Sequence, residues 1–137
     1  MGCLQEGRRG KNMSEVKRMK KLDLCPKNRR NCVSSLDGEA KKHATDPLPY
    51  TGSGEKALQK LHDLLRETND CEVVRSESYY LHCVFKTKIL RFKDDVEFII
   101  NETNEVIDVR SASRIGHYDF ETNRKRIEEI RQQFSEA

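Results

Sequence analysis

Long apolar runs are missing from this chain of 137 residues, in which charged residues make up 36%. A helix that crosses a bilayer needs about 20 mostly apolar residues, so the sequence predicts a soluble protein with no membrane span. The first residues also lack the apolar stretch of a secretory signal. Together with an odd number of cysteines, these absences predict a cytoplasmic location and reduced thiols. A bridge between Cys25 and Cys32 is the alternative in an oxidising setting.

Common motifs of catalysis and of cofactor binding are also missing. The chain has no Gly-rich phosphate loop, no Gly-x-Ser-x-Gly elbow and no helical His/Glu pair. Cys25 and Cys32 do not have the usual spacing of zinc ligands, and no second cysteine pair follows them. The sequence therefore predicts no metal and no cofactor, and it favours a noncatalytic protein over an enzyme.

Hydrophobic residues make up 35% of the chain, which is enough for one core of ordinary size. Residues 1–32 hold ten Lys/Arg against three acids, whereas the rest of the chain is acidic overall. Since residues 1–22 have no apolar period, we expect a flexible basic segment there, with Met13 as an alternative start of translation. A single domain is expected over residues 23–137. The basic charge attracts phosphates without specificity, but a solvated tail and no specific nucleic-acid partner are expected.

The pattern of apolar residues predicts an α+β fold. Residues 22–51 carry Pro26, Pro47 and Pro49 among polar residues, which is typical of an irregular segment. A helix of about four turns is predicted from near Ser53, because five apolar residues recur on one stripe. These residues are Ala57, Leu58, Leu61, Leu64 and Leu65.

Four β-strands and a second helix are predicted after this first helix. The strands are rich in Val, Ile, Phe and Tyr, and their short connectors favour an antiparallel sheet that is flanked by an N-terminal-side helix and a C-terminal helix. They are expected at Glu72–Ser76, Tyr79–Thr87, Asp95–Ile100 and Glu105–Ser111. The closing helix is expected to begin near Asp119. Its apolar stripe holds Phe120, Ile127, Ile130 and Phe134, and Asn123 lies on the same stripe.

The last two predicted strands also indicate how they pair. Apolar residues alternate with polar ones in both, at Val96, Phe98 and Ile100 in one and at Ile107 and Val109 in the other. Matching the two apolar faces sets the parity of the register and leaves Arg110 opposite Asp95 or Glu97 on the other face. A cross-strand ion pair is therefore predicted.

A cluster of Arg, Ser, Asp and Asn near the end of the sheet is the main candidate for a ligand site. It comprises Arg110, Ser111, Ser113, Arg114, Asp119, Asn123 and Arg124. Guanidiniums close to a helix N-terminus suit a carboxylate or a phosphate, so the cluster indicates a small anionic ligand or a protein carboxylate. The alternative is structural: the arginines then pair with carboxylates and attach the helix to the sheet. Those carboxylates are Asp94, Asp95, Glu97 and Asp119.

Cys32 is a second candidate, as the thiol of an enzyme or a redox protein. Arg29 and Arg30 lie nearby in the sequence, and positive charge lowers the pKa of a thiol and favours the reactive thiolate. A histidine would then act as the base, and the candidates are His43, His82 and His117. The alternative is an inert Cys32 that is buried or forms a turn.

Six short motifs occur in order within residues 24–134. They are Cys25-Pro26, Asn31-Cys32-Val33-Ser34-Ser35, Pro47-Leu48-Pro49-Tyr50, Phe92-x-Asp94-Asp95-Val96-Glu97-Phe98, Arg110-Ser111-Ala112-Ser113-Arg114 and Asn123-Arg124-x-Arg126. Together they resemble the domain of unknown function 1499 family. The resemblance implies one compact domain, with the acidic strand and the arginine-serine segment as its signature. Arg30, Tyr118 and Glu121 depart from the family's proline, serine and glycine, which puts in doubt any role that needs a tight glycine approach at the helix start.

These observations favour a noncatalytic binding module whose partner, a small anionic ligand or a protein, is unknown. One alternative is a thiol-dependent enzyme or redox protein that uses Cys32. The other is a structural or interaction protein without a small-molecule site.

Overall fold

The computed structural model describes residues 22–27, 31–36, 43–115 and 120–137. Of the predicted basic segment, only Leu22 lies within these ranges. The predictions that concern Met13, Arg29, Arg30, His117 and Asp119 fall outside the described residues.

Two helices form where the apolar stripes predict them: α1 at Gly54–Arg66 and α2 at Phe120–Glu136. Ser53 caps α1, because its hydroxyl accepts a hydrogen bond from the backbone N–H of Lys56 at 3.2 Å. The buried residues of the two helices are Ala57, Leu58, Leu61, Leu65, Ile127, Ile130 and Phe134. No helix in the described ranges is long and apolar enough to cross a membrane.

Within the described residues, the sheet has six strands instead of the predicted four. They are β1 (Cys32–Ser34), β2 (Leu48–Pro49), β3 (Cys71–Ser76), β4 (Tyr80–Lys86), β5 (Lys93–Asn101) and β6 (Val106–Ser113). Neighbouring strands are antiparallel in the order β1-β6-β5-β4-β3, and β2 also pairs with β6. The four predicted strands are β3 to β6, close to their expected bounds. The α+β class and the antiparallel sheet are thus confirmed, and the strand count is wrong.

The two additional strands lie in the segment for which the sequence predicts little regular structure. Ser34 of β1 pairs with Arg110, and Leu48 of β2 pairs with Ile107, so both strands bind along β6. Each is too short to show the alternation that marks a strand in a sequence. Pro49 is tolerated because an edge strand does not need every N–H. Both strands therefore form because the edge of β6 supplies their backbone pairing partners.

One face of the sheet packs against both helices and forms the main core. We call it the helix face. In β5 and β6, alternate apolar residues point to this face, as expected for strands with one buried side. Phe98 pairs with Val109 and Ile100 with Ile107, which is the parity that the sequence predicts.

The opposite side of the sheet, which we call the outer face, carries a small apolar cluster and many polar side chains. Leu22, Tyr80 and Ile99 form the apolar cluster. A disulfide joins Cys25 to Cys32, and both residues are buried. The expectation of reduced thiols is therefore wrong for this pair, because the chain brings the two sulfurs together beside β1.

Reduction of the Cys25–Cys32 disulfide should lower the free energy of unfolding by about 2–3 kcal/mol, because the bond restricts the unfolded chain. Urea unfolding with and without a reductant measures the loss. The double variant C25A/C32A should not respond to the reductant. An equal response in that variant would contradict the assignment.

Candidate functional site

The predicted ligand cluster is divided between the two faces of the sheet. Side chains alternate along a strand, so neighbouring residues of β6 point to opposite faces. Ser111 and Ser113 contact Asn123 of α2 on the helix face, whereas Arg110 contacts Glu97 on the outer face. The structure therefore does not bring Arg110 and Asn123 into one pocket.

On the helix face, four buried polar residues form what we call the amide cluster: Asn31, Ser111, Ser113 and Asn123. The side-chain carbonyl of Asn123 accepts a hydrogen bond from the Ser111 hydroxyl at 2.6 Å. Its Nδ2 donates to the Asn31 backbone carbonyl at 2.9 Å and to the Ser113 hydroxyl at 3.2 Å. Asn31 Nδ2 donates to the carbonyls of Ser113 at 3.2 Å and Ile115 at 2.9 Å. Both side-chain NH₂ groups are thus fully used.

Because these donors are engaged, the amide cluster has no side-chain amide N–H left for a ligand. It instead joins the start of β1, the end of β6 and the first turns of α2. A polar residue on a helix that faces a sheet needs such partners, since an unpaired buried amide costs about 1–3 kcal/mol. Sequence reasoning missed the role of Asn31, although Asn31 begins one of the six motifs.

Two arginines of α2 also bind partners within the protein. Arg124 donates from Nε and Nη2 to the Ala44 carbonyl, at 3.3 and 3.0 Å. Arg126 pairs with the fully buried Asp94, and its guanidinium lies over the Phe85 ring, 4.9 Å from the ring centroid. These contacts hold α2 against the rest of the domain, which is the role that the structural alternative assigns to Asp94.

On the outer face, Glu97 of β5 lies between Tyr80 of β4 and Arg110 of β6. The register places Glu97 directly opposite Arg110, as one of the two expected ion-pair partners. Glu97 Oε1 is 3.6 Å from Arg110 Nη1, so the two charges form an ion pair that is too long for a hydrogen bond. The Tyr80 hydroxyl donates a hydrogen bond to Glu97. Burial, together with this carboxylate, raises the pKa of Tyr80 well above its usual value.

Asp95 lies two residues before Glu97 and binds both His82 and Arg114. Arg114 donates from Nε and Nη2 to the two Asp95 oxygens at 2.8 and 2.9 Å, in a bidentate geometry. His82 Nε2 is 2.8 Å from Asp95 Oδ1. The hydrogen bonds from Arg114 lower the pKa of Asp95, burial opposes them, and the hydrogen bond from His82 adds to the lowering.

Arg110 is the arginine of the predicted cluster with the most unused donors. Its side chain is 16% exposed, and its Nε is buried without a hydrogen-bond partner among the described residues. Arginine carries five N–H donors in a rigid fork. Glu97 is therefore too far away to satisfy the donors of Arg110 with a hydrogen bond, and an oxygen of a carboxylate or phosphate is an acceptor that suits a guanidinium.

Comparison with known families shows to which family the chain belongs. A family model described as a protein of unknown function (DUF1499) matches residues 21–134. The chain belongs to this family. The match includes the amide cluster as well as Arg110 and Arg114, and it confirms the resemblance that the six motifs indicate. No curated protein matches the chain.

Cys32 of this DUF1499 domain has no free thiol. Its sulfur is bonded to Cys25, and the residue is 1% exposed. His43 Nδ1 is 3.0 Å from the Cys32 carbonyl, which can only accept a hydrogen bond, so this nitrogen is the donor. His82 is bound to Asp95. The geometry therefore offers no thiolate at Cys32, and neither of these two histidines is placed to act as its base.

Cys71 and Cys83 are the free cysteines among the described residues. They lie on neighbouring strands, and a hydrogen bond between their thiols lowers the pKa of Cys71 and raises that of Cys83, which burial raises further. Cys71 is half-buried and Cys83 is buried. Cys71 is thus the more reactive of the two, a distinction that the sequence alone does not reveal.

A surface cavity of about 700 Å³ is lined by none of the residues of the amide cluster and by neither Arg110 nor Arg114. Its wall includes Tyr50 and Phe134, which are aromatic, and Lys56 and Lys60, which are cationic. None of the predicted site residues lines this cavity. The acidic strand and the arginine-serine segment therefore do not line this cavity, whereas Pro49 and Tyr50 of another of the six motifs do.

Replacement of Asn123 by aspartate should lower the free energy of unfolding by about 3 kcal/mol, because a carboxylate cannot donate to the Asn31 carbonyl and adds a buried charge. Urea unfolding measures the change. The matched control Gln133→Glu alters an exposed amide of α2 and should stay within about 0.5 kcal/mol of the wild type. An N123D variant as stable as Q133E would contradict the role of the amide cluster.

Replacement of Arg114 by glutamine should lower stability by less than about 1 kcal/mol near neutral pH, because the Asp95–Arg114 pair is partly exposed. The folded-state pKa of Asp95 is lowered. The pair therefore stabilises the fold fully above the unfolded-state pKa of about 3.9, and its contribution is lost as the pH falls through the folded-state pKa.

The difference between wild type and R114Q should thus shrink in urea unfolding as the pH falls from about 7 to about 3. The variant R75Q, which removes the ion pair of Arg75 with Glu77, is the matched control for the loss of an exposed arginine. A wild-type advantage over R114Q that is independent of pH would show that Asp95 does not carry the effect.

Proposed function

We propose that the domain is a noncatalytic binding module for a small anionic ligand or a protein carboxylate, which binds at Arg110 and Arg114 on the outer face. The unused donor capacity of the largely buried Arg110 guanidinium supports this most directly. Four other predicted residues fall outside the narrower site because partners within the protein engage them: Ser111, Ser113, Asn123 and Arg124. Asp119 stays a prediction.

Burial of a charged side chain costs free energy unless its donors meet acceptors. The carboxylate opposite Arg110 is 3.6 Å away, and the Nε of Arg110 has no partner in the described part of the chain. A carboxylate or phosphate can accept two parallel hydrogen bonds from one guanidinium. An anion at Arg110 therefore completes a pairing that Glu97 leaves incomplete.

Asp95 and Glu97 limit what the site can bind. Their charges offset those of Arg110 and Arg114, so a ligand gains little from net attraction and depends on directed hydrogen bonds. The Arg114 side chain is 47% exposed, which allows it to turn from Asp95 toward a ligand. We therefore expect carboxylate and phosphate oxyanions to bind in preference to chloride. Chloride has the same charge as acetate, but it cannot accept two parallel hydrogen bonds on two oxygens.

A structural or interaction protein without a small-molecule site is the second candidate. The saturated amide cluster favours it, because several motif residues act there in packing. The thiol-dependent alternative has less support, since Cys32 is held in a disulfide.

The disulfide also bears on the predicted cytoplasmic location. Disulfide bonds persist mainly in oxidising compartments and are rare in the cytosol. The Cys25–Cys32 bond is buried beside β1 as part of the domain structure. An oxidising compartment is therefore favoured over the cytoplasm for the folded domain.

Titration of the ¹⁵N-labelled protein with acetate and with inorganic phosphate tests the anion site. The Nε–H signal of Arg110, assigned by its loss in R110K, should shift and saturate with an oxyanion but not with chloride at equal ionic strength. The same oxyanions should raise the melting temperature of the wild type. The R110K variant keeps the positive charge but lacks the forked N–H donors of a guanidinium, so it should bind oxyanions at least about tenfold more weakly.

The variant R66Q removes an exposed arginine at the end of α1 and is the matched control, which should bind oxyanions as the wild type does. Equal shifts with chloride and acetate would overturn the proposal. Unchanged binding by R110K would do the same, and either result would favour the structural candidate.

A further inference from the structure

The loop between β4 and β5 exposes two adjacent aliphatic side chains. Ile89 is 89% exposed and Leu90 is 65% exposed. Single exposed apolar residues are ordinary on a protein surface, and Leu24, Leu36 and Val74 are examples in this chain. Ile89 and Leu90 differ from these single residues, because they are adjacent at the end of a hairpin. Together they form a protruding apolar surface that no other described residue covers.

Positive charge surrounds this apolar pair. Residues 86–93, which we call the basic tip, contain Lys86, Lys88, Arg91 and Lys93 and no acidic residue. Arg91 is paired with Asp70, at 2.9 Å between Nη1 and Oδ1. In the described ranges, no ion pair engages the three lysines of the tip. The tip is therefore cationic around an apolar centre.

The backbone of the basic tip is held in one conformation. The Thr87 N–H donates to the Phe92 carbonyl at 2.9 Å, and the Arg91 N–H donates to the Thr87 carbonyl at 3.1 Å. The Thr87 hydroxyl accepts from the Phe92 N–H at 2.9 Å. Arg91 takes the left-handed conformation, with φ of 58°, that closes the turn. Ile89 and Leu90 are thus presented without a large cost of ordering the loop on binding.

We propose that the basic tip docks the domain onto an anionic lipid surface. Aliphatic side chains with adjacent Lys and Arg suit the boundary between the acyl chains and the headgroups of a bilayer. The aliphatic side chains enter the apolar layer there, and the Lys and Arg side chains contact the lipid phosphates. A lipid layer can accept these protruding side chains without a groove of complementary shape, whereas a protein partner would need such a groove. Charge complementarity therefore selects an anionic membrane as the occupant.

This docking differs from a membrane span and does not depend on the anion site at Arg110. The anion site lies on the outer face and the basic tip at the end of the β4–β5 hairpin, and the two adjoin where the Arg114 N–H donates to the Lys93 carbonyl at 3.0 Å. Loss of either function by mutation should leave the other intact.

Flotation of the full-length protein with vesicles tests the proposal. Wild type should bind vesicles of phosphatidylcholine and phosphatidylserine, and bind phosphatidylcholine vesicles at least about tenfold more weakly, with strong sensitivity to salt. The variant I89S/L90S keeps every charge and should lose at least about tenfold in binding. The matched control V74S alters an exposed aliphatic residue of β3 and should bind as the wild type does.

Two further variants separate charge from insertion. K86Q/K88Q should lose binding to phosphatidylserine vesicles by about fivefold for each lysine. The chain has no tryptophan, so L90W provides a unique fluorophore, and its emission should shift to the blue on vesicles that contain phosphatidylserine. Circular dichroism checks that each variant is folded.

Several outcomes would overturn the proposal. If I89S/L90S binds like the wild type, the basic residues near the N-terminus carry the binding instead. If L90W emission is unchanged when the protein is bound, the tip does not enter the lipid. If vesicles do not bind the wild type, or if Ile89 and Leu90 instead mediate self-association in sedimentation, the surface serves another partner.

Discussion

The hydrogen bonds of Asn123 set how the helices and the sheet fit together. Its side chain lies on the apolar stripe of α2, where a polar group is tolerated only if it is paired. Ser111, Ser113 and the carbonyl of Asn31 supply those partners. Apolar packing alone would permit α2 to slide along the sheet, whereas a buried amide with fixed partners permits one position. The amide cluster thus turns a general hydrophobic contact into a specific arrangement of three chain segments.

The alternation of side chains along β6 gives one motif two separate roles. Its inward serines complete the amide cluster, and its outward Arg110 meets Glu97 on the other side of the sheet. The acidic β5 strand is divided in the same way, because Asp94 binds Arg126 on the helix face while Asp95 binds Arg114 on the outer face. The signature residues of the DUF1499 family therefore do not form one site, although they are contiguous in the sequence.

The two surfaces proposed for partners both favour negatively charged partners, but they recognise the negative charge in different ways. On the outer face, Asp95 and Glu97 balance the arginines, so recognition there depends on hydrogen-bond geometry. At the basic tip, three lysines without described partners surround Ile89 and Leu90, so attraction is long-ranged and salt-sensitive. The Cys25–Cys32 disulfide holds the preceding segment beside β1.

By itself, the sequence determined the two helices, the four longer strands and the parity of the β5–β6 register, because these follow from local apolar periodicity. It also identified the family, through motifs that are contiguous. Only the tertiary structure decided the short strands β1 and β2 and the partners of Asn123, since these depend on residues that are distant in the sequence. It also decided between reduced thiols and the Cys25–Cys32 bond, which the sequence left open. The candidate site as a whole stays a prediction. Arg110 and Ser111 are neighbours in the chain, but the alternation of side chains along β6 places them on opposite faces of the sheet.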